Sequence, residues 1–515
     1  MSKKTTLNLI GQICSFACML GINFFLTPFI VSNLGTETYG FVGLANNITS
    51  YITLLTTALS GMLSRYVTIE AARKDYEEAS RYFATAYITQ IFLALVLVIP
   101  MIFISLNVDK VVNVSPAIVP DVKLLWLLIF SSFLINLAFG GFGVATFARN
   151  RLEITAAISI CTNIIRAGIL ITVFVLFPAH VWFVGLATII SNTFNITATY
   201  IAKRKIFSEL RISFKYYKPK YIWKLVVVGV WNSLNRLQQI LITGLDLLIT
   251  NLFINSYEMG ILSVAKTVPT QISSLISTVS GAFDPIMTIT YAETDKTEFL
   301  QETKMAMKVC GFLCSIPILG FIAFGMKFYT LWMPSLSEAE VVKVQILAVL
   351  TLLPQVFSVY IFPLYTVNTI TTKVRVPVLL SIGIGIANVI IVFILLKTTN
   401  LGVYAVAGVS SMLWLIRIFT FVPMYAAHIL HMPMKTFYIP IIRGVCNVFI
   451  TGSILCAISY FSQVSSWMGL IITAGISGVI GYLICFFIMF GKDERSRALE
   501  SLKGIAAKKF KRRKR

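Results

Sequence analysis

Residues 223–252 read WKLVVVGVWNSLNRLQQILITGLDLLITNL. The stretch is long enough to cross a bilayer, which takes about 20 mostly apolar residues. Yet Asn232, Asn235, Arg236, Gln239, Thr243, Asp246 and Thr250 recur through it at steps of three and four. Those steps place all seven on one face of an α-helix. Amide and ionisable groups are costly against lipid, so such a face turns toward protein or a water-filled cavity. The stretch reads as a membrane helix lining a polar interior.

Working outward, thirteen more segments have the length and composition of spans. With 223–252 as span 7, they lie near 7–32, 38–63, 83–107, 123–147, 154–177 and 181–201 before it. After it come 258–282, 304–326, 341–365, 377–397, 402–426, 437–461 and 467–490. The first is too long for a signal-peptide core, and no small-residue cleavage site follows it. The whole composition agrees: of 515 residues 57% are apolar and 12% charged, with mean hydropathy +0.84. A water-soluble chain carries about a quarter charged residues, so a soluble core and disorder are both excluded. The expected fold class is an all-α polytopic membrane protein of about 14 transmembrane helices.

The net charge of +22 invites a nucleic-acid reading until topology is considered. With the N-terminus in the cytoplasm, 32 of the 43 Lys and Arg fall on inward segments and 5 on outward ones. That asymmetry is the positive-inside signature. It places both termini in the cytoplasm and accounts for the charge with no nucleic-acid partner. The densest basic run, Lys508–Arg515, suits anionic membrane lipids or simply fixes topology.

Two halves resemble each other. Asn33-Leu34 and Tyr39 match Asn251-Leu252 and Tyr257, and Ser60-Gly61 parallels Ser280-Gly281. Ser159-Ile160 pairs with Ser381-Ile382, and Trp182 with Tyr404. Six spans per copy give both copies one orientation, related by a pseudo-two-fold axis along the membrane normal. The expected organisation is an N-lobe at 1–202 (spans 1–6), a basic cytoplasmic linker at 203–222 and a C-lobe at 223–436 (spans 7–12). A C-terminal helix pair at 437–490 and a basic tail at 491–515 complete it. Two lobes around a central cavity suit alternating access.

Other polar stripes run along span 2 (Asn46, Ser50, Thr53, Thr57, Ser60, Ser64) and along spans 1 and 8. Among ionisable groups, Arg166 and Arg236 fall near mid-span and Lys266 lies in the outer part of span 8. Arg417 and Arg443 sit nearer the cytoplasmic face, where snorkelling explains them. Acids at depth are few, chiefly Asp246 and Asp284. One reading of the deep cations is structural: an ion pair or a carbonyl clamp, with Asp246 available to Lys266. The other is an anion-binding cavity lined by Asn46, Asn232, Asn235, Gln239 and Asp246, with Arg166, Arg236 and Lys266 as the substrate-binding cations. An Arg fork matches phosphate oxygens. The eight Cys and three His form no disulfide or metal framework by spacing, and no nucleotide-binding loop or hydrolase motif occurs. Neither a cofactor nor an enzymatic activity is expected.

The stretch Thr27-Pro28-Phe29-Ile30-Val31-Ser32-Asn33-Leu34-Gly35-Thr36-Glu37-Thr38-Tyr39-Gly40 resembles the first-hairpin signature of polysaccharide and O-antigen flippases. Ala58–Tyr66 continues it, and Asp246, Tyr257 and Ser263–Lys266 are similar to the second lobe of the same proteins. These belong to the multidrug/oligosaccharidyl-lipid/polysaccharide exporter superfamily. The resemblance implies translocation of a polyprenyl-pyrophosphate-linked oligosaccharide to the outer leaflet. It also implies polysaccharide polymerase and glycosyltransferases as working partners, and cavity cations at Arg166, Arg236 and Lys266. Lipid II flippases and small-molecule antiporters are neighbouring branches. A membrane glycan polymerase or ligase is the alternative of another class, disfavoured by the short outward loops.

Overall fold

A computed structural model of the chain describes residues 3–293 and 295–496; within these, the side chains at 3–7, 9, 55, 58–62, 228, 231, 232, 285 and 292 are excluded. The basic run at 508–515 therefore lies outside the described residues.

The described chain is helical from end to end, and its helices follow the fourteen expected segments. Eleven are long and apolar enough to cross a membrane. The other three are span 2 (Thr36–Ala72), span 6 (Trp182–Ile206) and span 7, which begins at Pro219–Gln239. Their polar stripes dilute the hydropathy without shortening the helices. Sequence-encoded caps start several spans: Asp75 accepts from the Glu78 amide, and Asp295 from the Thr297 and Glu298 amides. Ser337 and Glu340 form a reciprocal capping box ahead of span 10.

By packing, the chain forms two compact units. One comprises residues 1–264 and 378–406; the other comprises 265–377 and 407–515. These units divide the chain by contact, whereas the expected lobes divide it by repeat.

In the first unit, span 2 packs along span 7, span 1 along span 5, and span 4 along span 6. Spans 2 and 8 meet backbone to backbone. A Cβ on Gly260 would stand 2.4 Å from the Thr36 carbonyl oxygen, and one on Gly40 2.8 Å from Gly260 Cα. Small residues permit such an approach where no water is displaced to drive helices together. Polar side chains tie the end of the unit where spans 2 and 8 begin. Ser115 and Ser256 both donate to Glu37 Oε1 (2.5 and 2.7 Å), and Asn113 and Asn251 exchange side-chain and backbone hydrogen bonds. At the opposite end, the 203–222 segment is docked rather than tethered. Phe207 and Leu210 are fully buried, and Ser80 Oγ accepts from the Arg211 amide (3.0 Å). Arg149 lies over the Phe207 ring while donating to Glu209.

The second unit is built on span 9 (Lys296–Trp332), against which spans 10, 13 and 14 pack. Its centre is Tyr360. Cβ atoms added at Gly311 and Gly444 would lie 2.1 and 2.6 Å from that ring. Asn447 donates to the Tyr360 hydroxyl (2.9 Å) and to Ser315, and accepts from Thr451. This satisfied polar knot lies inside an apolar cluster and binds span 13 to spans 9 and 10. Lys327 reaches the last carbonyls of span 13 at Ser459 and Ser462, closing that helix's negative end.

Candidate functional site

Span 7 is not one helix. The α-helix Pro219–Gln239 gives way to a π-turn at Ile240–Gly244, and a short helix, Asp246–Phe253, resumes beyond it. A π-turn leaves carbonyls without their usual partners, so within a membrane other groups must satisfy them. Tyr51 Oη and Asn47 Nδ2 of span 2 donate to the Gly244 carbonyl at 2.6 and 3.1 Å. From span 11, Asn388 Nδ2 donates to the Leu241 and Ile242 carbonyls at 3.2 and 3.3 Å. Ser233 closes the seam lower down by donating to the Leu54 carbonyl. The break is thus held open by three side chains from two neighbouring helices.

The stripe that led to this span sits around the break. Arg236 is half-buried and donates to Gln239 Oε1 (3.0 Å), one turn before the π-turn. No carboxylate pairs with it among the described residues. Gln239 and Asn235 are exposed; the side chain of Asn232 lies outside the described residues. Asp246 is the first residue of the resumed helix and only 2% exposed. There its charge meets the helix's positive end.

Arg166 is embedded in span 5 (Leu152–Leu176), about 21 Å along the axis from one end and 15 Å from the other. Its Nε is buried with no hydrogen-bond partner, and the Tyr39 phenol is its electrostatic neighbour. Among the described residues no acid forms an ion pair with it. Lys266 is half-buried in span 8 and belongs to the second unit. Asn46 is exposed. The span-2 groups that engage span 7 are its neighbour Asn47 and, one turn on, Tyr51. The adjacent pair Asn46-Asn47 leaves two registers open to a periodicity argument, and only packing selects one. Asn388, in an apolar span far along the chain, carried no signal of its role.

A cationic, amide-rich face beside a broken mid-membrane helix is where transporters hold charged substrates. Comparison with known proteins bears on which transporters. The family model described as polysaccharide biosynthesis protein matches residues 3–290, more than half of the chain. The chain belongs to the polysaccharide biosynthesis protein family. This family member is 26% identical over 508 residues to the uncharacterized membrane protein EpsK of Bacillus subtilis (strain 168), covering 96% of this chain and 98% of that one. Its fold is that of transporters of the multidrug/oligosaccharidyl-lipid/polysaccharide superfamily. An inward-facing multidrug resistance MATE family transporter superposes with TM-score 0.63 at 17% identity, covering 83% of this chain and 99% of that one. A superfamily transporter from Pyrococcus furiosus, described as having a binding pocket of reversed polarity, gives TM-score 0.59 at 15% identity with the same coverage.

Proposed function

We propose that the protein is a flippase that moves a polyprenyl-pyrophosphate-linked oligosaccharide from the inner to the outer leaflet of the cytoplasmic membrane, for cell-surface polysaccharide synthesis. The observation that carries the reading is a pair of guanidinium groups within the spans, Arg166 and Arg236, that have no carboxylate partner among the described residues and lie in the unit that also holds the broken span 7. A buried cation without a counter-charge costs several kcal/mol. A diphosphate arriving in the cavity offsets that cost and accepts bidentate hydrogen bonds from Arg. Membership of a polysaccharide biosynthesis family supports a glycan cargo, and the transporter fold supports movement over catalysis.

In this mechanism the glycan and diphosphate follow a wet path past Asn47, Arg236 and Gln239 while the polyprenyl tail stays in lipid. Prolines inside span 1 (Pro28) and span 8 (Pro269) let those helices bend to admit the tail. The site faces the two membrane sides in turn. Both termini are cytoplasmic, where glycosyltransferases supply the loaded lipid, and a polymerase removes it outside. The test is reconstitution of the full chain in liposomes with a fluorescent lipid-linked oligosaccharide, the free sugar and a cationic dye. Protein-dependent movement of the glycolipid alone is the expected result. Transport of the dye with a static glycolipid would make the protein an antiporter and end the flippase reading.

A further inference from the structure

Sequence position put Arg417 near the cytoplasmic face, where a long side chain snorkels; the structure buries it among other side chains. Its span, Val403–Ile429, is interrupted at Thr420, and Arg417 lies inside it, in the last turn of the first helix, Val403–Phe419. Only 7% of the residue is exposed. Arg443, by contrast, does reach a helix end, donating to the Met489 carbonyl. Arg417 has its guanidinium carbon 5.6 Å from the centroid of the Tyr365 ring. Its Nε has no hydrogen-bond partner, and among the described residues no carboxylate pairs with it. The acid beside Tyr365 in the fold, Asp284, is occupied by the Thr366 hydroxyl at 2.6 Å.

Two further polar groups here are buried and unpartnered: the Tyr365 hydroxyl and the Trp414 indole N–H. Trp414 precedes Arg417 by three residues and shares its helix face. Guanidinium and indole can only donate, and a tyrosine hydroxyl donates readily. Donors and a positive charge therefore lie within the span, in the second unit, and among the described residues no carboxylate pairs with them. A cation–π contact with one ring does not replace the solvation a guanidinium loses on burial.

We propose that Arg417, Tyr365 and Trp414 form a buried site for a single oxyanion of the phosphate class, supplied as free phosphate or as a phosphorylated lipid headgroup. Arg417 gives the charge and a planar pair of N–H groups; Tyr365 and Trp414 complete the ring of donors. The site lies in the second unit, whereas Arg166 and Arg236 lie in the first, and it does not depend on what the protein transports.

Binding, not transport, tests it. The lipid-stripped full chain is dialysed against radiolabelled inorganic phosphate and pyrophosphate. The chain in phosphatidylcholine nanodiscs doped with phosphatidylglycerol or undecaprenyl phosphate is weighed by native mass spectrometry. The expected result is one phosphate-bearing ligand per chain that Arg417→Gln abolishes both in the parent and in an Arg166→Gln background, whatever the first unit's cations bind besides. Tyr365→Phe, which keeps the ring under Arg417 and removes only the hydroxyl, weakens it about tenfold. It also carries the test should Arg417→Gln fail to fold. Retention in the dialysis arm assigns free phosphate as the source; retention only in the nanodisc arm assigns a headgroup. If Arg417→Gln and Tyr365→Phe bind every probe as the parent does, and only the melting temperature falls, the guanidinium is a strut on Tyr365 and the site does not exist.

Discussion

At the scale of single residues, charge matters by what it lacks. Arg236 bonds to an amide of its own helix and has no carboxylate partner among the described residues, so its positive charge stays available. Arg236→Ala is expected to cut glycolipid translocation in liposomes tenfold or more, as loss of a charged hydrogen bond worth about 1.5–3 kcal/mol would. Arg236→Lys should restore part of it, keeping charge but losing the planar fork. Normal translocation by the alanine variant would remove Arg236 from the site. Beyond the end of span 3, Asp109 accepts from Lys123 at 2.7 Å, which holds its carboxyl below the ordinary value, helped by a backbone hydrogen bond. A lowered folded-state pKa means the pair contributes stability above the ordinary carboxylate range and loses it as pH falls through the lowered value. The melting temperature of Asp109→Asn should therefore fall short of the parent's at pH 7 and converge with it under strong acid. A constant gap across that range would contradict the linkage. Both partners are solvent-accessible, so the effect is small.

At the scale of elements, the sequence was most legible where one periodicity sufficed. Eleven spans were readable from apolar length alone, spans 2, 6 and 7 carry more polar residues, and the stripe on span 7 marked the helix that breaks. The break itself was not readable. Ile240–Gly244 is an apolar run with one threonine and one glycine, and nothing local forbids an α-helix through it. What opens the π-turn is the supply of outside donors, Tyr51, Asn47 and Asn388, from helices distant in sequence. Helix–helix approach was equally hidden. Gly311 and Gly444 flank the Tyr360 ring so closely that a methyl group at either collides with it. Alanine at either position is expected to destabilise the protein by about 1–3 kcal/mol, or to prevent its accumulation in the membrane. Gly320, on the same span as Gly311 with nothing within 4 Å of its would-be Cβ, should accept alanine without loss. Thermal unfolding of the three purified variants decides it; equal midpoints would mean the Tyr360 packing carries no stability.

At the scale of the whole molecule, the 32-to-5 distribution of basic residues predicts cytoplasmic termini. A membrane-impermeant maleimide applied to intact cells should label Ala117→Cys, on an exposed loop, and spare Lys215→Cys in the docked linker. The reverse pattern would invert the topology. The sequence by itself determined the membrane class and the succession of apolar helices along the chain, with boundaries to within several residues. Each rests on composition or periodicity, and hydrophobic transfer acts on a helix regardless of its neighbours. It also drew attention to Arg166, Arg236 and Asp246, because ionisable groups inside apolar runs stand out against a hydrocarbon background. Only the tertiary structure decided which of two adjacent asparagines faces span 7, where that span breaks, and that Arg417 is buried within its span instead of reaching the surface. Those outcomes depend on which helices lie side by side. Hydrogen bonds and steric contacts act over a few ångströms between residues as many as 219 positions apart, and no local pattern encodes that pairing.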